Sequence, residues 1–113
     1  MNAGKNFTFW KTKTFDKWFG KIKDPHSFAE IADAILTVEL GDFRRCTPIK
    51  KKAAKGIFEI VIDFGPGFRL YYCREGKMIY WLLIGGIKKS QDRDIDYAIE
   101  LRRRGREIGY DKV

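Results

Sequence analysis

The hairpin spanning residues 57–74 constrains the fold more than any other part of this chain. Apolar side chains occupy the even positions from 58 to 64, and the acids Glu59 and Asp63 stand between them. Such alternation predicts a strand with one face turned to a core. Gly65-Pro66-Gly67 supplies proline for position i+1 and glycine for position i+2 of a type II turn, so residues 68–74 are expected to return antiparallel. We therefore expect a sheet that is apolar on one face and polar on the other.

Periodicity predicts two helices before this hairpin. Residues 6–14 are predicted to form a strand. Residues 15–22 are predicted to form a short helix, because their apolar residues fall at i, i+3, i+4 and i+7. Asp24 and Pro25 suit the start of a second helix, which is expected to end at Gly41. Its buried stripe is predicted to comprise Phe28, Ile31, Ala32, Ile35 and Leu36.

Three further elements complete the predicted order. Residues 42–49 and 78–84 are predicted strands. Residues 78–84 are apolar at both odd and even positions. This pattern is typical of a central strand that is covered on both faces, or covered on one face and partly shielded on the other. Gly85-Gly86 is expected to end it, and a last helix begins at Ser90 and finishes in arginines at 102–104. The order β-α-α-β-β-β-β-α predicts a single α+β domain over residues 1–113, with helices on one face of a mostly antiparallel sheet of four to five strands.

The charge balance points to a polyanionic partner. Lysine and arginine number 23 against 15 acids, which gives a formal net charge of +8 on 113 residues. Such an excess in a small domain favours nucleic acid, a ribosome, an anionic lipid surface or an acidic protein as the partner. A generic basic surface kept for solubility is the alternative.

Composition excludes several classes of protein. The longest apolar run, residues 78–84, is far shorter than the ~20 residues of a membrane-spanning helix. The N-terminus has no apolar stretch of signal-peptide length, so a cytoplasmic protein with no membrane partner is expected. Cys46 and Cys73 lack the spacing of a zinc or redox site, and His26 is the sole histidine. We therefore expect no metal and no small-molecule cofactor.

Strand parity places a polar surface opposite the apolar one. Glu59 and Asp63 are expected there, joined across the turn by Arg69 and Tyr71, and an ion pair of Arg69 with either acid is one interpretation. Basic residues flank this surface in the sequence: Arg44, Arg45, Lys50, Lys51, Lys52, Lys55, Lys88 and Lys89. Lysine and arginine would hold phosphates while Tyr71 or Tyr72 stacks on a base, which predicts a single-stranded RNA site. A solvated lysine loop is the alternative.

Two joined motifs resemble a known family. The run FGPGFRLYY at residues 64–72 is similar to G-P-G-Y-R-V-Y-Y. The run LLIGGIKKSQDRDI at residues 82–95, followed by Ala98, is similar to L-L-x-G-G-D-K-x-x-Q-x-x-D-I-x-x-A. Both patterns are typical of the RelE/ParE toxin superfamily, in its phage-derived, HigB-like branch of addiction-module killer proteins. The same branch is also matched by Trp18-Phe19, Lys23-Asp24 and residues 39–42. The likeness therefore covers most of the chain.

The resemblance implies a RelE-like fold and the toxin component of a type II toxin–antitoxin module, neutralised by a cognate antitoxin protein. It implies metal-independent endonucleolytic cleavage of messenger RNA, either free or on the ribosome, which inhibits translation. On this hypothesis Arg69 clamps the phosphate, Lys88 exchanges protons, and Tyr71 stacks on a base or donates a proton. The RNA-binding residues are then expected to be Arg44, Arg45, Lys50, Lys51, Lys52, Lys55, Lys89, Gln91 and Tyr72.

The chain departs from the family pattern at two positions. Val61 stands where the branch has an arginine, and Ile87 where it has an aspartate, whereas Arg69 and Lys88 stand at matching positions. Three alternatives stay open, and Val61 favours the second of them. They are a DNA gyrase inhibitor of the ParE type, a non-catalytic module that binds RNA or ribosomes, and a structural role in which the charge matches an acidic antitoxin.

Overall fold

The computed structural model describes residues 8–75, 79–105 and 110–112. In chain order its elements are β1 (Thr8–Thr12), α1 (Lys13–Gly20), α2 (Pro25–Glu39), β2 (Cys46–Pro48), β3 (Ile57–Ile62), β4 (Phe68–Glu75), β5 (Ile79–Ile87), α3 (Gln91–Arg104) and β6 (Tyr110–Lys112). Short 3-10 turns at Lys52–Ala54 and Lys88–Ser90 precede β3 and α3. The α+β class is confirmed, and the predicted order matches from β1 to α3; residues 6, 7 and 78 of the predicted strands lie outside the described residues. None of the helices in these ranges is long and apolar enough to cross a membrane.

The strands form one mixed sheet in the order β2-β3-β4-β5-β1-β6. β1 runs parallel to β5, and every other neighbouring pair is antiparallel. The expectation of a mostly antiparallel sheet is therefore confirmed. The three-residue strand β6 pairs with β1 and was not expected from the sequence.

Helices cover both faces of the sheet rather than one. α1 and α2 pack over Phe9, Ile60 and Leu70 on what we call the α2 face. α3 packs over Tyr71 and Leu83 on the opposite surface, the α3 face. The prediction of helices on one face is wrong because β4 and β5 are apolar on both parities, so each face of the sheet must be buried.

The predicted parity of β3 is confirmed. Ile60 and Ile62 are buried in the core beneath α1 and α2, and Phe58 and Phe64 pack against the same core. Glu59 consequently projects toward the α3 face, because successive side chains of a strand point to opposite sides. The alternation in the sequence thus orients the whole hairpin.

Side-chain caps set where α1 and α2 begin. Thr12 Oγ1 accepts a hydrogen bond from the Phe15 amide at 2.9 Å and donates to the Leu83 carbonyl at 2.7 Å. The Asp24 carboxylate accepts from the Ser27 amide at 3.0 Å, and Pro25 occupies the first helical position. The predicted start of α2 is therefore confirmed.

The buried stripe of α2 differs from the predicted one. Ile31 and Ile35 are buried as expected, but Phe28 and Leu36 are 45% and 43% exposed. Ala34 and Val38 take their places in the core. Apolar residues surround most of this helix, so periodicity alone cannot decide which of them faces the sheet.

Strand β5 continues through the two glycines where the sequence predicts its end. A Cβ on Gly85 would lie 2.3 Å from Cζ3 of Trp18, and a Cβ on Gly86 would lie 1.9 Å from Oδ2 of Asp94. The glycines therefore let α1 and α3 approach the strand closely from opposite faces. They serve packing here and do not terminate the strand.

The hairpin turn lies one residue earlier than predicted. The Gly67 amide donates to the Phe64 carbonyl at 3.0 Å, which makes Gly65 and Pro66 the central residues. Gly65 has a φ of +58°. A positive φ at the first central residue is typical of a type II′ turn rather than type II. β4 nevertheless returns antiparallel to β3, as expected.

Candidate functional site

A buried polar cluster lies between the sheet and the start of α3. Glu59 on β3 and Arg69 on β4 both project toward α3, and Val61 is the register partner of Arg69. Nε2 of Gln91 donates to Oε2 of Glu59 at 2.9 Å, and Nε of Arg69 lies 4.0 Å from the same oxygen. Only 13% of the Glu59 side chain and 10% of the Arg69 side chain are exposed. The pairing of Arg69 is therefore with Glu59, whereas Asp63 is exposed beyond the end of β3.

The Arg69 guanidinium is only partly satisfied although the residue is more than nine-tenths buried. Its Nη1 donates to the Phe68 carbonyl at 3.2 Å. Its Nε is buried and has no hydrogen-bond acceptor among the described residues. A buried donor without an acceptor costs about 1–3 kcal/mol, and more when it is charged. A phosphate oxygen would supply that acceptor, because guanidinium and phosphate match in both charge and geometry.

Tyr71 lies beneath this cluster and not on its surface. Its side chain is fully buried, and its hydroxyl has no hydrogen-bond partner in the described part of the chain. Burial, followed by the negative charges of Glu59 and Asp94, raises the pKa of the Tyr71 hydroxyl well above its usual range. The hydroxyl therefore keeps its proton at neutral pH. The prediction that Tyr71 stacks on a base is wrong, because neither face of its ring is exposed.

An open cavity of about 520 Å³ adjoins the polar cluster. It lies between the β2–β3 pair and the first turn of α3, and Glu59 and Gln91 form part of its wall. Lys50 and Lys51 also line it and are both exposed, while Asp92 adds one acid. A cavity of this size with a few convergent polar groups is large enough for a nucleotide.

Lys88 lies close to Arg69, as predicted, across the turn between β3 and β4. A Cβ on Gly67 would lie 3.3 Å from Cβ of Lys88 and 3.7 Å from Nη1 of Arg69. The Lys88 amide donates to the Gly67 carbonyl at 2.6 Å, which fixes its position beside the turn. Lys88 and Lys89 are exposed, and Lys89 lines a neighbouring cavity of about 440 Å³ with Ser90. Lys88 therefore lies beside the turn that Arg69 also contacts, whereas Lys89 lines the neighbouring cavity.

The lysine loop, residues 50–56 between β2 and β3, is held against α3. Lys51 forms an ion pair with Asp96, and the Lys55 carbonyl accepts a hydrogen bond from Arg102. The side chains of Lys52 and Lys55 are exposed. The loop is therefore anchored at two points rather than simply solvated.

Arg44, Arg45 and Tyr72 do not join the polar cluster. Arg44 pairs with Asp42 at 2.6 Å, and its hydrogen bonds lower the pKa of Asp42 to about 2. Arg45 lies 4.0 Å from Asp33 of α2. Tyr72 is buried on the α2 face, because it is adjacent in sequence to a residue that points to the α3 face. The structure therefore separates these three residues from the polar cluster, and their role in RNA binding stays a prediction.

Asp94 is a buried acid beside the cluster that was not among the predicted site residues. This residue is 7% exposed and accepts a hydrogen bond from Ser90 Oγ at 2.5 Å. It lies against Gly86, which is the register partner of Arg69. Gly86 is the feature of the sequence that could have predicted this contact, because a glycine inside a central strand indicates close approach of another group.

The cluster contains the groups needed for acid–base cleavage of a phosphodiester. A carboxylate such as Glu59 can accept a proton, a guanidinium can stabilise developing negative charge, and a lysine can return a proton. His26 is exposed at the start of α2, far from this chemistry on the other face. Within the described ranges, no group of three or more His, Cys, Asp or Glu is placed to hold a metal ion.

Comparison with known proteins finds a relative in Haemophilus influenzae. That bacterial protein, described as uncharacterized, is 38% identical to this chain over 87 residues, which cover 77% of this chain and 84% of the relative. No family model matches the chain. The chain belongs to the same family as the Haemophilus influenzae protein.

Proposed function

We propose that this chain is the toxin component of a type II toxin–antitoxin module and that it cleaves messenger RNA without a metal ion. On this proposal it is a RelE-like member of the RelE/ParE superfamily, in the HigB-like branch. It acts in the cytoplasm on messenger RNA, free or ribosome-bound, and a cognate antitoxin protein neutralises it. The observation that carries the proposal is the partly satisfied guanidinium of Arg69 beside Glu59, next to an open cavity with exposed lysines.

The two motifs that resemble the toxin family meet at the polar cluster. The first contains the hairpin turn and Arg69, and the second runs from β5 into α3 and contains Lys88 and Gln91. Gln91 joins the second motif to β3 through its hydrogen bond to Glu59. The residues of the resemblance therefore converge on one site, which supports a shared chemistry.

The cluster supplies each group that cleavage by the ribose 2′-hydroxyl needs. The Glu59 carboxylate takes the 2′-hydroxyl proton as the oxygen attacks the adjacent phosphorus. Arg69 donates to a non-bridging oxygen and stabilises the added negative charge. Lys88 gives a proton to the departing 5′-oxygen, which leaves a 2′,3′-cyclic phosphate on one product and a 5′-hydroxyl on the other.

Arg69 is buried and does not itself line the cavity, so a phosphate would reach it past the side chains of Glu59 and Gln91, which do. An entering phosphate would replace the 4.0 Å contact between Arg69 and Glu59 with a direct hydrogen bond to Nε. Glu59 would remain oriented by Gln91 and would then be free to accept a proton. Substrate binding and activation of the base are thus one event in this mechanism.

A non-catalytic RNA-binding function is the second candidate, and Val61 favours it. Val61 is the register partner of Arg69 on the α3 face, so an apolar side chain stands where the branch has an arginine. A protein of this kind would bind RNA with an affinity that falls steeply with salt, and it would release no cleaved product.

Induced expression in a bacterial host followed by mapping of transcript ends tests the proposal. We expect the wild-type chain to arrest growth and to create new 5′ ends in messenger RNA. Glu59→Gln and Arg69→Lys should abolish both effects. Asp63→Asn and Arg103→Lys are matched controls that should cleave normally, because Asp63 is exposed beyond β3 and Arg103 is exposed on α3.

Three results would overturn parts of the proposal. Growth arrest with intact messenger RNA would exclude the nuclease, and loss of supercoiling would then favour gyrase inhibition. Co-purified RNA without new ends would favour the non-catalytic module. Arrest and cleavage that persist in both Glu59→Gln and Arg69→Lys would remove the polar cluster as the active site.

A further inference from the structure

An aromatic pocket lies on the α2 face, on the opposite side of the sheet from the polar cluster. Its volume is about 400 Å³, and it is lined by Phe43, Gly56, Phe58, Tyr72, Arg74 and Tyr80. Four of these six residues are aromatic, and one is an arginine. Nothing in the proposed cleavage chemistry uses them.

A ladder of three rings forms one wall of the aromatic pocket. Phe58, Tyr72 and Tyr80 lie on the neighbouring strands β3, β4 and β5. The ring centroid of Tyr72 is 5.5 Å from that of Phe58 and 5.5 Å from that of Tyr80, with interplanar angles of 22° and 23°. The hydroxyl of Tyr72 hydrogen-bonds to Cys46, which fixes the central ring.

Phe43 and Arg74 form the accessible part of the aromatic pocket. The Phe43 ring lies 6.2 Å from Tyr80 at 39°, and Phe43 is 40% exposed. Arg74 is exposed and is the register partner of Tyr80. An aromatic wall beside an exposed arginine is what a nucleobase and its phosphate need.

We propose that the aromatic pocket binds one base of the single-stranded RNA whose phosphate enters the polar cluster. The base stacks against the aromatic wall and Phe43, and Arg74 holds the adjacent phosphate. The inference rests on the proposed function and deepens it, because it adds a second contact point for the same RNA strand.

The two sites are joined around one edge of the sheet. β2 is an edge strand, and Pro48 on β2 lines the cavity of the polar cluster. Thr47, the neighbouring residue of β2, also lines that cavity and is the register partner of Glu59. Pro48, in contrast, is the register partner of Phe58, which lines the aromatic pocket on the other face. An RNA strand that crosses the β2 edge would therefore contact both sites.

Basic residues lie near the β2 edge, where the RNA strand would pass from one face of the sheet to the other. Arg44 and Arg45 immediately precede β2 and are exposed, and Lys55 immediately precedes Gly56 of the aromatic pocket. Asp42 is the one acid beside Phe43 in the sequence, and it is paired with Arg44. The positive charge favours an anionic occupant over a neutral or basic peptide, and the aromatic wall favours a nucleic acid strand among anionic occupants.

Titrations of the purified full chain test the inference with two probes. The first is adenosine monophosphate, followed by NMR, and it should shift the signals of Phe43, Gly56 and Arg74. The second is a fluorescent 2′-O-methyl oligoribonucleotide, which cannot be cleaved through a 2′-hydroxyl. Phe43→Ala should weaken its binding about 5- to 150-fold, the range for loss of one stacked base. Arg74→Gln should also weaken it, because it removes a phosphate contact.

Matched controls separate the pocket from general effects of exposed aromatic and basic residues. Tyr97→Ala removes an exposed ring from α3, where Tyr97 is 44% exposed, and Arg103→Gln removes an exposed arginine. Both should bind the oligoribonucleotide within about twofold of wild type. Arg74→Gln should also reduce the slope of log affinity against log salt by about 1, because one phosphate contact is lost. Thermal unfolding checks that every variant is folded.

The outcomes distinguish this inference from the proposed function. Wild-type RNA binding that neither Phe43→Ala nor Arg74→Gln weakens would overturn the aromatic pocket as a base site and leave the cleavage proposal intact. Shifts by adenosine monophosphate at the pocket, without RNA cleavage in the host, would support the pocket and reject the nuclease. No binding of either probe by the wild-type chain would overturn the inference.

Discussion

Nε of Arg69 stands 4.0 Å from Oε2 of Glu59, and the same oxygen accepts the 2.9 Å hydrogen bond from Gln91. One carboxylate is therefore shared between β4 and the first residue of α3. Both charged side chains are largely buried, so removal of one leaves the other without its compensating charge. The polar cluster thus ties α3 to the sheet as well as carrying the proposed chemistry.

Glu59→Gln and Arg69→Met are expected to be coupled in stability. Each single variant should lower the free energy of unfolding by about 1–3 kcal/mol, because each leaves a buried partner without its opposite charge. The double variant should lose less than the sum, with a coupling energy of about 1–2 kcal/mol. Urea unfolding of the four proteins measures this cycle. Losses that add to within about 0.5 kcal/mol would mean that the 4.0 Å contact contributes no interaction energy.

Gly86→Ala should destabilise the protein, whereas Gly20→Ala should not. A Cβ on Gly86 would lie 1.9 Å from Oδ2 of Asp94, so α3 must shift away from β5 at a cost of about 1–3 kcal/mol or more. A Cβ on Gly20 meets nothing within 4 Å, and the substitution should stabilise slightly by restricting the unfolded chain. Thermal unfolding compares the two variants.

A second-site change checks the cause of the Gly86 effect. Asp94→Ser in the Gly86→Ala background removes the clashing carboxylate and should recover part of the lost stability. Equal stability of Gly86→Ala and wild type would show that the start of α3 is not packed closely on β5.

Local patterns predict the elements of this fold better than they predict its layers. The alternation around Ile60 orients β3 correctly, and Asp24 caps α2 where the sequence places it. The position of α3 could not be obtained in this way, because it depends on Gly86 allowing α3 to approach β5 closely. The alternation of side chains along a strand carries no information about that approach. A Gly-Gly pair has the same appearance in a sequence whether it ends a strand or admits a helix.

The candidate site was predictable in part for the same reason. Parity brings Glu59 and Arg69 to one face, and the resemblance brings Lys88 beside them. Burial is not visible in parity, so Tyr71 was expected at the surface although α3 covers it. Tyr72 fell on the opposite face because adjacent strand residues alternate.

Asp42 should contribute to the acid sensitivity of the fold. Hydrogen bonds from Arg44 hold the pKa of Asp42 at about 2, below its ordinary 3.8. A carboxyl whose pKa is lower in the folded state stabilises the fold above its unfolded pKa, and this contribution disappears as pH falls from about 4 to about 2. Asp42→Asn should therefore have a lower Tm than wild type at pH 6, and the difference should close by pH 2. Thermal unfolding across this range measures it.

Asp63→Asn is the control for the acid experiment. It makes the same change of charge at an exposed position beyond β3. Its Tm should follow that of wild type through the same pH range. A difference between Asp42→Asn and wild type that stays constant from pH 6 to pH 2 would contradict the assignment to the Asp42 carboxylate.

Tyr71 and Tyr72 provide a matched pair of hydroxyl deletions on opposite faces of one strand. The Tyr71 hydroxyl is buried with no hydrogen-bond partner among the described residues, whereas the Tyr72 hydroxyl bonds to Cys46. Tyr71→Phe should therefore leave the free energy of unfolding unchanged or raise it by about 1 kcal/mol. Tyr72→Phe should lower it by about 0.5–1.5 kcal/mol. Urea unfolding decides between these directions.

Tyr71→Phe also tests whether the Tyr71 hydroxyl takes part in cleavage. Its ring is fully covered and the proposed mechanism assigns its proton to no step, so Tyr71→Phe should cleave RNA at close to the wild-type rate. A positioned proton donor contributes about 10²- to 10⁴-fold, so a loss of that size with unchanged stability would make the Tyr71 hydroxyl the acid in place of Lys88. A loss of stability in Tyr71→Phe of more than about 1 kcal/mol would instead show that a buried water satisfies the hydroxyl.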